Sequence, residues 1–161
     1  MRSLLVTGLA LAVVAGAGCG DAADEQPSRS AQLYIATVRQ IVAGQPPPVD
    51  PEVLPVVYIM AVGESPIAAG VQAEVAAALR EEAVLRFADE RSEAVLVDVE
   101  RMPVRDEGLL LAVGELAPDG EPLEVEVEIY RSVADSSKAV LTLAERSSQW
   151  AVTSSSVLAD S

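Results

Sequence analysis

Asp89, Glu90, Glu93 and Asp98 concentrate carboxylates around Arg91. Two carboxylates at the right separation can do acid/base work, as in glycoside hydrolysis. Several together can bind calcium through oxygen ligands. The same run also reads as a solvated turn with a local ion pair, which is the simpler expectation. Asp89, Glu90, Arg91 and Glu93 are therefore a weak candidate site. Asp89 and Glu93 are the pair that a carboxylate-dependent hydrolase would use. Asp106-Glu107 and Asp119-Gly120-Glu121 read as turns, and neither follows EF-hand spacing.

Glu124, Glu126 and Glu128 fall on one face of an alternating strand. Such a stripe can recruit a basic partner or cations. The simpler expectation is a solubilising face that also discourages edge pairing.

Other motifs fail on inspection. Gly63-Glu64-Ser65-Pro66-Ile67 begins like a nucleophile elbow, but Ile67 stands where the second Gly belongs. Asp135-Ser136-Ser137-Lys138 lacks the Ser three residues before Lys. No Gly-rich phosphate loop is present. The chain has no His, which removes Ser-His and Cys-His pairs and imidazole zinc sites. It has no Asn, so no glycosylation sequon. Neither a catalytic set nor a cofactor is expected.

The elements that would position these residues follow from pattern and composition. At 161 residues, one domain is the natural expectation. Half of the residues are hydrophobic but only 3% are aromatic, so Val, Leu, Ile and Ala must fill the core. A β-branched core suits a sheet.

Ser30 can cap a helix over 30–43, with Leu33, Tyr34, Val38, Ile41 and Val42 on one face and Gly44 ending it. Gln45-Pro46-Pro47-Pro48 is a stiff spacer. The apolar run 54–62 reads as a buried strand. Ser65-Pro66 signals a helix start, and Ile67, Val71, Val75 and Leu79 repeat every four residues to about Glu82. With the strand 84–87 this makes an early βαβ unit.

Val95, Val97 and Val99 alternate, which suggests another short strand over 94–99. A polar loop follows over 102–108, then an apolar strand over 109–113. Leu123 to Tyr130 alternate strictly, so one face is packed and the other wet, with Tyr130 exposed beside the Glu stripe. Strands over 138–145 and 149–157, joined at Ser147-Ser148, complete an antiparallel meander. Tyr58 and Trp150 are assigned to the core. The expected fold is α+β: two helices on a mixed, largely antiparallel sheet of about five to six strands with one early βαβ unit.

The start of the chain has the three parts of an export signal. Met1-Arg2-Ser3 is positive, Leu4 to Val14 is mainly apolar, and Ala15-Gly16-Ala17-Gly18 is small. The apolar stretch is shorter than the about 20 residues that a spanning helix needs. Gly16-Ala17-Gly18-Cys19 resembles the lipobox of bacterial lipoproteins, differing at Gly16, where that family most often has Leu. The resemblance implies that the Cys19 thiol takes a diacylglyceryl group and that the new amino terminus is acylated after cleavage.

The end of the chain adds a second resemblance. An apolar strand, a turn and Gln149-Trp150-Ala151-Val152-Thr153 resemble the closing hairpin of small exported lipoproteins. Some of those have an NTF2-like fold, from which the early βαβ unit departs. The whole arrangement is also similar to uncharacterised secreted proteins of high-GC actinobacteria, a likeness that implies no activity.

The expected organisation is a signal peptide over 1–18, the lipidated Cys19 with a flexible tether to residue 29, and a single domain over 30–161. The net charge is −14. Only Arg2 leaves with the leader, so the mature chain carries 10 basic residues against 25 acidic ones. That balance excludes nucleic acid as a natural partner. It also makes attachment to an anionic membrane depend on a covalent anchor. The expectation is a lipid-anchored, extracytoplasmic module of the cell membrane, a binding or accessory module and not an enzyme, with an envelope protein as a candidate partner. A carboxylate-dependent hydrolase and a calcium-dependent envelope module remain as alternatives.

Overall fold

A computed structural model describes residues 26–46, 50, 53–63, 65–116, 120 and 122–158. The leader, Gly16, Ala17, Gly18, Cys19 and the tether up to residue 25 lie outside the described residues. So do Pro47, Pro48, Glu64, Asp119 and Glu121.

The fold is α+β. Two longer helices and one short helical turn pack on an open, mixed, six-stranded sheet. Helix α1 (Arg29–Ala43) begins one residue earlier than expected. Its cap is Ser28, whose hydroxyl accepts from the Ala31 N–H at 3.3 Å, and not Ser30. Capping at Ser28 also frees its own N–H to donate to Glu74 Oε2 at 2.6 Å, which ties the start of α1 to the next helix. The expected face is buried at Leu33, Tyr34, Val38 and Ile41.

Strand β1 (Val56–Ala61) is flanked on both sides by parallel strands, β2 (Val84–Phe87) and β3 (Leu109–Val113). Central position explains the continuous apolar runs: all five residues of β3 are buried. Between β1 and β2 lies α2 (Ala69–Leu79). It starts later than Ser65-Pro66 predicts, and Ala68 stands at its N-cap with no side-chain bond. Ile67 is the reason. An extended lead-in sinks Ile67 into the core at 9% exposure, while the Gln72 side chain donates to its carbonyl at 2.8 Å. The apolar stripe continues correctly through Val75 and Leu79.

The two crossovers take opposite faces. Helix α2 joins α1 over one face, burying Val57, Ile59, Leu109, Leu111 and Val113. The path from β2 back past β1 to β3 runs over the other face. It carries the short α3 (Arg91–Ala94) and a 3-10 turn at Arg105–Glu107. Ala88, Ala94, Val95 and Val104 from this path cover Tyr58, Leu110 and Tyr130.

That path overturns the strand expected over 94–99. Val95 makes a single bridge to Val104, and Val97 and Val99 are about half exposed. Ala94 and Val95 pack against Tyr58 and Leu110, so this segment covers the sheet face instead of pairing along the free edge of β2. The same cover corrects Tyr130, which is 7% exposed rather than open to solvent.

Strands β4 (Leu123–Ser132), β5 (Asp135–Arg146) and β6 (Gln149–Leu158) form the antiparallel meander, with sheet order β2-β1-β3-β4-β5-β6. Ser147 and Ser148 both adopt positive φ (52° and 65°), the twist that a two-residue hairpin needs. Thr153 is an extra residue opposite the Thr142–Leu143 step, and its hydroxyl donates to the Thr142 carbonyl at 3.1 Å. Leu123, Val125, Val127, Leu141 and Leu143 complete the core beneath α1. Trp150, expected in that core, is only half-buried, with the Arg29 guanidinium 4.8 Å from its ring centre.

Candidate binding face

The sheet register assembles the candidate residues in rows. Arg86, Tyr58, Leu110, Tyr130 and Ser136 are consecutive cross-strand partners from β2 to β5. The next row is Met60, Ala112, Glu128, Lys138 and Leu158. Both rows lie on the face away from α1 and α2. The crossover covers the β1–β3 part of it and stops near Tyr130. Beyond that limit Glu124, Glu126, Ser154 and Ser156 are exposed.

The carboxylates of the 89–93 segment do not converge. Asp89 and Glu90 are exposed at the end of β2. Glu93 Oε2 accepts from the Asp89 backbone N–H at 3.1 Å, so this carboxylate closes the local turn. Arg91 turns away from its acidic neighbours in sequence. It donates to Glu128 on β4 with both terminal nitrogens, at 2.6 and 3.2 Å, and stacks 4.3 Å from the Tyr130 ring centre. The Glu128 hydrogen bonds hold its guanidinium above the ordinary range, outweighing the opposing effect of burial. Among the described residues, no three Asp, Glu, Cys or His side chains come together to hold a metal ion.

A second network was not foreseen from the sequence. Tyr58 donates its hydroxyl proton to Asp106 Oδ2 at 2.8 Å, and Arg86 Nη1 donates to the Tyr58 oxygen at 2.7 Å. Arg86 and Asp106 also pair directly. Burial, reinforced by the bond to Asp106, raises the Tyr58 pKa above 10.0. The Tyr58 hydrogen bond, with the charge on Asp106, raises that of Arg86. Asp106 sits in the left-handed region at φ 54°, ψ 29°. The network clamps the crossover onto the sheet. Its only advance signal was the Tyr58–Arg86 register of a parallel pair, since Asp106 arrives from a loop 20 residues beyond Arg86.

The open part of the face holds a groove of about 410 Å³. Val62 and Gly114 line one end, at the carboxyl ends of β1 and β3. Glu115, Glu124, Glu126, Glu128 and Lys138 line the rest. Gly114 is required there: an added Cβ would stand 2.9 Å from the Glu126 carbonyl oxygen, which its own N–H meets at 2.8 Å. Arg91 answers Glu128, and Lys138 approaches Glu126 at 3.9 Å. Glu115 and Glu124 have no cationic partner among the described residues. The groove is therefore acidic, open and lined mainly by sheet side chains. Asp89 and Glu93 do not line it.

The first described residues arrive near this end of the sheet. Gln26 Nε2 donates to the Ser148 carbonyl, Arg29 lies over Trp150, and Arg29 Nη2 donates to the Gly120 carbonyl at 3.4 Å.

The chain is thus an α+β domain with one sheet face packed under helices and the other half-covered and acidic. No family model, curated protein or solved structure matches it. Among the described residues, no helix is long and apolar enough to cross a membrane.

Proposed function

We propose that this protein is a lipid-anchored, non-enzymatic binding module of the cell envelope whose open acidic sheet face takes a basic partner. The observation that carries the reading is the half-bare face. The crossover stops at Tyr130, and beyond it Glu124 and Glu126 stand exposed on β4, with Glu115 exposed in the segment that follows β3. An acidic surface held on rigid strands steers and orients a basic partner more than it supplies raw affinity.

The anchor rests on Gly16-Ala17-Gly18-Cys19. Cys19 is seven residues before Gln26, which limits the reach from lipid to domain to about 25 Å. Contacts from Gln26 and Arg29 fix the point where the chain joins the domain, near the groove end. On this reading the face stays close to the extracytoplasmic surface of the membrane, where an envelope protein would meet it. No observation favours the hydrolase or calcium alternatives.

Two experiments test the two halves. Intact mass of the mature amino terminus should show a diacylglyceryl group on Cys19; an unmodified thiol there sinks the anchor. For the face, an oligolysine peptide titrated against the protein should shift amide resonances at 124–128, 140–142 and 154–156. The double variant Glu124→Lys/Glu126→Lys should lose those shifts. Equal shifts around the exposed Glu81-Glu82 pair would show unspecific attraction and defeat the reading.

A further inference from the structure

We infer that two copies of this chain associate through strand β6, edge to edge, joining their sheets into one. The inference does not depend on the lipid anchor or on the acidic face. Strand β6 is the long free edge of the sheet: ten residues, paired only with β5. Among the described residues, no backbone group outside the sheet bonds to its outer side. The opposite edge, β2, is only four residues long and carries Arg86.

Exposed edges are normally blunted by charges, Pro or irregularity. Gln149–Leu158 contains no charged residue and no Pro. Its one irregularity, at Thr153, leaves Ser154–Leu158 in regular register with Lys138–Thr142. Those five residues are all exposed, Val157 to 74%.

Charge selects the occupant. A chain at −14 repels its own copies over most of its surface, so two copies can touch only where charge is missing. Strand β6 is such a place. Strands β4 and β5 are not: β4 carries three Glu, and β5 carries Asp135, Lys138, Glu145 and Arg146.

The segment is also self-complementary. Antiparallel pairing about a two-fold axis at Ser155 sets the Ser154 and Ser156 hydroxyls of the two copies against each other. The bulge at Thr153 confines the regular part of this symmetric contact to the stretch around Ser154–Ser156. The two Glu stripes then lie five strand spacings apart, about 24 Å. That exceeds the screening length of about 8 Å at physiological salt.

Sedimentation velocity of the full chain in detergent, over a concentration series, tests this. The expected result is a reversible monomer–dimer equilibrium. Ser154→Lys/Ser156→Lys should raise its dissociation constant about tenfold or more, because like charges then face each other. A wild-type chain that stays monomeric throughout overturns the inference. So does a variant that dimerises as tightly as wild type, since an anchor-driven dimer would ignore these substitutions. If circular dichroism shows the variant unfolded, hydrogen exchange of the wild type decides instead. Concentration-dependent protection of the 154–158 amides supports the contact, and unchanged exchange refutes it.

Discussion

Arg91 joins two features that lie 37 residues apart in sequence. As a member of the 89–93 run it suggests a local ion pair. In the fold it spans the crossover and the sheet, fixed by Glu128 and the Tyr130 ring. Spacing along the chain cannot reveal this, because the pairing depends on which strand lies beneath α3. The prediction follows from the geometry. In a double-mutant cycle with Arg91→Met and Glu128→Gln, urea unfolding should give a coupling of about 1 kcal/mol, above the usual exposed pair, because Glu128 is partly buried. A coupling near zero would mean that Arg91 acts only as a packed stem.

Tyr58 sets the second residue-scale prediction. Its folded pKa lies above the ordinary 10.0, so folding favours the protonated phenol. The stability this gives is fully present below pH 10. It is lost as pH rises from 10 through the raised value, because the unfolded chain ionises first. Tyr58→Phe should flatten part of the alkaline loss seen in urea midpoints, leaving a remainder from Tyr34, which burial also raises. An alkaline slope identical to wild type would show that the clamp does not hold the proton.

Elements divide cleanly by what the sequence could carry. Strands β1, β3 and β4 and helix α1 were legible, because burial on one or both faces writes itself as a run, an alternation or a stripe. The 94–99 segment was not. Its Val alternation is genuine, but Ala94 and Val95 are buried against Tyr58 and Leu110, so tertiary packing draws the segment across the face and away from the free β2 edge. The start of α2 failed for a related reason: Ser65-Pro66 is a sound local signal, overridden by the burial of Ile67. Gly108 marks where the crossover re-enters the sheet. A Cβ there would stand 2.8 Å from the Val56 carbonyl oxygen, a backbone atom that cannot swing aside. Gly108→Ala should therefore cost about 1–3 kcal/mol by overpacking. Gly70→Ala meets nothing within 4 Å in a helix and should be neutral or stabilising. Melting temperatures of the two variants compare a forced contact with a free position, and equal values would contradict the close approach.

At the scale of the whole molecule, the charge that shapes the partner argument also acts against the fold. A compact chain at −14 holds its carboxylates closer together than the unfolded chain does, and self-repulsion favours expansion. Much of that repulsion is exposed, on Asp89, Glu90, Asp98, Glu100 and Glu124, where salt can screen it. The groove contributes a local share, since Glu115 and Glu124 have no counter-ion among the described residues. Six ion pairs among the described residues stand against 25 acidic residues in the chain, and one of them, Arg91–Glu128, is partly buried and less screened. Relief of repulsion should therefore win over loss of attraction. Raising sodium chloride from about 0.01 to about 0.15 M shortens the screening length from about 30 to about 8 Å. The melting temperature of the full chain should rise over that interval. Glu124→Gln/Glu126→Gln should melt higher than wild type at the low-salt end and gain less on adding salt. A wild-type melting temperature that falls with salt would mean that attractive pairs dominate the surface. In that case the acidic face would be internally compensated and unable to draw a basic partner.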